Sequence, residues 1–246
     1  MLTSLGSLAT QQANPTQKTL QHVKHFLDYA MTHQDAIITY RASNMIVAAH
    51  SDASHLSETK ARSCAGGHFF LSENDEVPRN NDAMLIIAQI IKSVMSSAAE
   101  AELGALYINA REAIPLRHLL EELGHTQPPT KIQIDNSTAL DGVSNIIQPK
   151  RTKAMDMRFH WLRCRTNQKQ FRTYWRAGSM NLADYVTKHH APIHHCAIRV
   201  LYLTDPTKLA HLRAKFYGIP SPIKHIRSHL LTILPAASAT YDKTFL

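Results

Sequence analysis

Apolar positions recur at helical spacing in some stretches of the chain and alternate or run together in others. Leu20, Val23, Leu27 and Ala30 form one helical stripe behind Asn14-Pro15, which suits an N-cap and a first helical residue. The spacing predicts a helix from Pro15 to about Met31. Residues 1–13 are polar and small and are expected to be poorly ordered. Residues 36–50 are strand-like. Met45-Ile46-Val47-Ala48-Ala49 is a short continuous apolar run, as in a strand covered on both faces. It leads into His50-Ser51-Asp52-Ala53-Ser54, whose composition predicts a turn. A second strand is expected over Ala65–Leu71, a polar loop over Glu73–Asp82, and a third strand region over Met84–Val94. Three strands with short connections predict an antiparallel meander.

Ser93 to Gly124 then carries a long amphipathic helix, with Leu103, Leu106, Tyr107, Ala110 and Ile114 on one stripe. Ser97 and Glu100 have capping-box spacing at its start. Pro115 lies inside the pattern and predicts a kink or break. Lys131-Ile132-Gln133-Ile134-Asp135 alternates as a fourth strand, able to join the first in parallel after the helix. A short helix is expected over Thr138–Asn145, then, after Pro149-Lys150-Arg151-Thr152-Lys153, a helix through about Gln168 with Met155, Phe159 and Leu162 inside. Phe171–Arg176 alternates as a fifth strand, and Asn181-Leu182-Ala183-Asp184 opens a further helix. Beyond Ala191 the pattern fades. The element order implies an α/β architecture: a mixed five-stranded sheet, three antiparallel strands then two parallel, with helices on both faces.

Charge adds a partner to this picture. With 27 Lys plus Arg against 19 Asp plus Glu, the 246-residue chain carries +8, which points to an anionic partner, nucleic acid first. Much of that charge sits in Lys150, Arg151, Lys153, Arg158, Arg163 and Arg165, with Trp161 among them. Such a segment can contact phosphate; it can also be a solvated helix face. The three cysteines, Cys64, Cys164 and Cys196, have no CxxC spacing and read as reduced thiols. No apolar run reaches membrane-spanning length and Met1 opens no signal sequence, so no membrane contact and an intracellular location are expected. His189, His190, His194 and His195 lack a defined metal-ligand spacing.

The candidate chemistry lies in carboxylates. Glu102 sits on the first turns of the long helix with no capping duty, while Asp52, Asp135 and Asp184 fall at strand ends or a helix start. Glu100 and Glu102 cannot share a task, because residues two apart on a helix point about 200° apart. Four carboxylates from four elements suggest a divalent-metal site. Each also has an ordinary reading, Asp52 and Asp135 as turn formers and Asp184 as a first-turn acid.

Four segments together resemble the ribonuclease H domain of copia-type retrotransposon polyproteins. They are His50-Ser51-Asp52-Ala53-Ser54; Met95-Ser96-Ser97-Ala98-Ala99-Glu100-Ala101-Glu102-Leu103; Asp135-Asn136-Ser137-Thr138-Ala139; and Arg151 to His160 with Asn181-Leu182-Ala183-Asp184-Tyr185-Val186-Thr187-Lys188. They occur in the family's order over residues 40–190. The resemblance implies a ribonuclease H-like fold over 40–190, a remnant of the reverse transcriptase thumb and connection over 1–39, and a basic, partly ordered tail over 191–246.

It implies hydrolysis of the RNA strand of RNA–DNA hybrids with two Mg²⁺ ions, Mn²⁺ being able to substitute, held by Asp52, Glu102, Asp135 and Asp184. Hard cations need oxygen ligands, and two ions roughly 3.5–4 Å apart activate water and stabilise the leaving oxygen. Lys150, Arg151, Lys153, Arg158 and Arg163 would contact nucleic acid. The partners implied are the hybrid and the rest of a Pol polyprotein, with its reverse transcriptase and integrase, in cytoplasm, nucleus or virus-like particles. One departure is that Arg176 to Ala183 holds no histidine, which many ribonucleases H place shortly before the last aspartate. Two alternatives stay open: a decayed nucleic-acid-binding remnant, and a DNA-directed nuclease of the same fold.

Overall fold

The spine of the molecule is β1 (Ile46–Glu58), which pairs on one edge with β2 (Arg62–Ser72) and on the other with β4 (Thr130–Ile134). With β3 (Leu85–Ile90) and β5 (Phe171–Trp175) the sheet order is β3-β2-β1-β4-β5. The first three strands are antiparallel; β4 and β5 run parallel to β1. This is the mixed five-stranded α/β sheet the sequence implies. A computed structural model of the chain describes residues 1–34, 36–58, 60–137 and 157–203.

The two faces of the sheet are covered differently. On one side lie α3 (Ala98–Glu122) and α4 (Met157–Asn167). Leu103, Leu106, Ala110 and Ala113 of α3 and Phe159 and Leu162 of α4 pack on Ala49, Phe69, Ile132, Ile134 and Phe171 to form the main core. On the other side His50, Asp52 and Ser54 meet the segment 178–187, which holds two short 3-10 turns, Gly178–Met180 and Asp184–Val186. The chain comes so close here that a Cβ on Gly66 would lie 2.5 Å from the Thr187 methyl and 2.6 Å from the Ala183 carbonyl oxygen. Gly66 therefore sets how near this segment can lie to β2.

Two side chains fix the parallel half. Val47 N–H donates to Gln127 Oε1 at 3.0 Å, and Gln127 Nε2 donates to the Met45 carbonyl at 2.8 Å, so this amide extends β1 where β4 has not yet begun. Arg117 Nη1 donates to Thr130 Oγ1 at 2.9 Å and Nη2 to the Gln127 carbonyl at 3.0 Å, tying the end of α3 to the start of β4.

Several expectations are corrected. Residues 2–9 form helix α1 (Leu2–Ala9), anchored where Thr3 Oγ1 donates to the Val186 carbonyl at 3.1 Å. Helix α2 spans Gln17–Thr32 and its N-cap is Thr16, not Asn14. Thr16 and Thr19 exchange backbone–hydroxyl bonds in a reciprocal cap, which leaves Pro15 outside the helix. The expected turn at His50–Ser54 is mid-strand: these residues pair in register with His68 to Cys64, and tertiary partners take their polar groups. Here packing overrides turn propensity.

Helix α3 runs through Pro115 without a break, held on both sides by buried Ala110, Ala113, Arg117 and Leu120. Asn181–Asp184 opens no α-helix, only 3-10 turns, because its polar groups are drawn onto β1. A helix α5 (Pro192–Arg199) follows where the sequence pattern fades. The helix expected over 138–145 lies outside the described residues. Among the described residues no helix is long and apolar enough to cross a membrane.

Candidate metal centre

The register of the parallel pair brings two aspartates side by side. His50 lies opposite Gln133, so Asp52 and Asp135, each two residues further on, reach the same end of the sheet. This is where the strand order changes from antiparallel to parallel neighbours, and open α/β sheets collect ligands at the carboxyl ends of strands at such points. Helix α3 starts over the same end. Its N-cap, Ser97, accepts the Glu100 N–H at 3.1 Å, and the Glu100 carboxylate turns back to the Ser96 N–H at 2.7 Å. Glu102 points the other way, into the sheet end, and is 7% exposed.

One carboxylate oxygen from each of Asp52, Glu102 and Asp135 lies within 4.8 Å of the others. Glu102 Oε1 accepts the Ala53 N–H at 3.2 Å, while its Oε2 is buried without a hydrogen-bond partner among the described residues. Asp52 Oδ2 accepts the Thr187 hydroxyl at 2.6 Å. Burial raises Asp52 to about 6. The Thr187 bond works against that rise, and the charges of Asp184 and Asp135 add to it. Burial, then the charges of Asp52 and Asp135, lift Glu102 to about 9. Asp135 is also raised, chiefly by burial. Three acids that resist ionisation together, all oxygen donors, with one orphaned buried oxygen, suit a hard divalent cation.

Asp184 stands beside this group rather than in it. Its Oδ1 is paired with the Lys188 ammonium, four residues on. Gly178 closes the centre from the β5 side: a Cβ there would lie 2.6 Å from Asp135 Oδ2. Trp175 Nε1 donates to the Asp135 backbone carbonyl at 2.9 Å and steadies the same turn.

The basic residues divide. Lys150, Arg151 and Lys153 lie outside the described residues. Arg158 and Arg163 are half-buried on α4, with the Arg163 guanidinium 5.5 Å from the Phe159 ring centroid. Arg165 lies over Trp161, whose own ring packs edge-on against Tyr107 at 5.2 Å. Trp161 thus belongs to the α3–α4 packing.

Sequence reasoning singled out no role for Thr187, Lys188, His50, Asn181 or Gly178. Asn181 Nδ2 donates to the Ser51 carbonyl and the Leu182 N–H donates to His50 Nδ1, at 2.8 and 3.0 Å, so these residues seat the 178–188 segment on β1. A histidine directly after the apolar run Met45–Ala49, fully buried in the fold, was the available signal.

No family model matches the chain. Over 185 residues, 75% of its length, it is 25% identical to the retrovirus-related Pol polyprotein of transposon TNT 1-94 from Nicotiana tabacum. It spans 13% of that polyprotein's length. Among solved structures, it is similar to a ribonuclease H1 isolated from compost by a metagenomic approach, with 12% identity and a TM-score of 0.43, covering 58% of this chain and 92% of the other. A second is the N-terminal ribonuclease H domain of a Mycobacterium tuberculosis protein, with 14% identity and a TM-score of 0.42, covering 58% and 91%.

Proposed function

We propose that this relative of retrotransposon Pol polyproteins is a ribonuclease H domain that hydrolyses the RNA strand of RNA–DNA hybrids with divalent cations. Asp52, Glu102 and Asp135 hold the first ion, and Asp184 completes the centre. What supports this reading is the orphaned Oε2 of Glu102, buried within reach of two aspartates that come from separate strands. Such a group costs stability unless a cation joins it, so the arrangement makes sense as a binding site.

A bound divalent cation supplies Lewis-acid activation of water and charge neutralisation at the leaving oxygen. The chain does the placing. Thr187 holds the Asp52 carboxylate in one orientation, and the Ala53 N–H holds Glu102. In hydrolysis a water oxygen bonds to phosphorus, a ribose oxygen leaves, and the water proton ends on the leaving group or solvent. Lys150, Arg151, Lys153, Arg158 and Arg163 are proposed to track the nucleic-acid backbone. Residues 1–39 are read as the end of a preceding polymerase, and 191–246 as a basic tail.

Hybrid, double-stranded RNA and double-stranded DNA, each compared with Mg²⁺ and with chelator, test the reading. Cleavage of the hybrid's RNA strand in Mg²⁺ alone is expected. Cleavage of double-stranded DNA instead would make the chain a DNA-directed nuclease. Binding without cleavage of any substrate would make it a remnant.

A further inference from the structure

Lys188 occupies an unusual place for a cation. It follows the single 3-10 turn Asp184–Val186, and its ammonium is paired with Asp184 Oδ1 four residues earlier. Its field also reaches Asp52, Asp135 and Glu102, and among the described residues it is the only basic group that acts to favour ionisation of all three. Of the other cations described above, Arg158, Arg163 and Arg165 sit on α4 on the far side of the sheet, and Arg117 is spent tying the end of α3 to β4. The Lys188 side chain is 46% exposed and Asp184 32%, so the pair is half-solvated and can open. The clustered trio, by contrast, has no cation paired with it among the described residues.

We propose that Lys188 is a resident cation of this centre: it holds Asp184 apart from Asp52, Glu102 and Asp135, so that divalent ions bind in order, the second only as Lys188 releases Asp184. This rests on the metal-dependent reading above. Charge balance explains the order. With one dication at the trio and the ammonium on Asp184, four ionised carboxylates keep a single net negative charge. A second dication beside an unmoved ammonium would leave the centre net positive and place like charges at contact distance. The ammonium must therefore swing out into solvent, which its half-exposed, flexible stem permits. Lys188 is thus a positioning residue that sets unequal affinities for two ions. It touches no reacting atom.

The test is Mn²⁺ binding to the full 246-residue chain, without nucleic acid, followed by the loss of the free-ion electron paramagnetic resonance signal. The wild type is expected to bind one ion tightly and a second at least about tenfold more weakly. Lys188→Met should tighten the second site by about tenfold while moving the first by less than about twofold. Lys188→Arg, which keeps the charge, should preserve the wild-type gap. Lys188→Gln, with its melting temperature followed alongside, guards against an effect of misfolding.

A second site indifferent to Lys188→Met, or both sites shifting equally, overturns the inference while leaving the metal reading intact. Loss of the first site in Asp52→Asn identifies that site as the trio. Absence of any Mn²⁺ binding by the wild type overturns the inference and the metal reading together.

Discussion

The Asp52–Glu102–Asp135 group and Asp184 share one end of the sheet, yet the fold surrounds them in opposite ways. The trio is drawn from β1, α3 and the end of β4, is largely buried, and among the described residues meets only neutral donors: a hydroxyl from Thr187 and an N–H from Ala53. Asp184 lies on a half-exposed turn and has a counter-ion in its own sequence neighbourhood. Surface pairs of that kind contribute little to stability, whereas buried like charges are costly until something neutralises them. The contrast teaches that the scaffold concentrates its electrostatic cost on three residues and keeps the fourth adjustable. A site built this way has its strongest demand for a cation fixed in the folded core and a weaker demand at its rim.

The largest effects should come from the trio. Asp52→Asn and Asp135→Asn are each expected to lower Mg²⁺-dependent hybrid cleavage by on the order of 10²- to 10³-fold, the scale at which loss of one preorganised charged group is felt. Asp184→Asn should lose less and recover further at raised Mn²⁺. Cleavage rates for the three variants, measured side by side over a metal titration, decide it; equal losses at all metal concentrations would erase the distinction between trio and rim.

Next in size is Thr187→Val, which removes the hydroxyl that favours ionised Asp52. The Asp52 carboxyl should then titrate above its present value of about 6, and metal affinity should fall by about 10–100-fold, as for other residues that orient a ligand. The pH–rate profile should move to higher pH. A profile that falls in height without moving would show that Thr187 acts through packing alone.

Stability in chelator gives a smaller but cleaner contrast. The pKa of Glu102 is raised by folding to about 9, so the stability linked to it is fully present below its unfolded value and is lost as pH rises through about 9. Glu102→Gln has no such loss. Its melting temperature should exceed that of the wild type by a margin that widens from about pH 5 to pH 9, and saturating Mg²⁺ should shrink or reverse the margin. A gap independent of pH would place the benefit in packing. The smallest effect is expected at the neighbouring acid. Glu100→Ala should cost about 0.5–2 kcal/mol in stability, the range for lost caps, with cleavage largely retained. Its carboxylate meets Ser96, not the Asp52–Glu102–Asp135 group.

Much of the sheet and the long helix could be read from periodicity, because Val47–Ala49, Ile132 and Ile134, and Leu103, Leu106 and Ala110 are buried as their spacing implies. The different directions of Glu100 and Glu102 were also readable, since one has cap spacing and the other does not. The strand character of His50–Ser54 was not. Local composition favours a turn there, and only residues some 130 positions away, Asn181, Leu182 and Thr187, complete the polar bonds that make it a strand. The N-terminal helix was missed for a similar reason: its anchor on Val186 is non-local. Lys188 was in view within the motif, but spacing alone does not tell a counter-ion from a solvated lysine.

The pairing of β1 with both β2 and β4 has a consequence for how the chain emerges during synthesis. The β1–β2–β3 meander can form as soon as Ile90 is free, but the other edge of β1 stays open until Thr130 to Ile134 arrive. The 40 residues between Ile90 and Thr130 take roughly 2–8 s at ordinary elongation rates. Throughout that interval the Val47–Ala49 edge is an apolar, hydrogen-bond-hungry template of the kind that pairs with other chains. Helix α3, made in the same window, packs against β1 and can shield it, and rapid helix formation on its capped start favours that order of events.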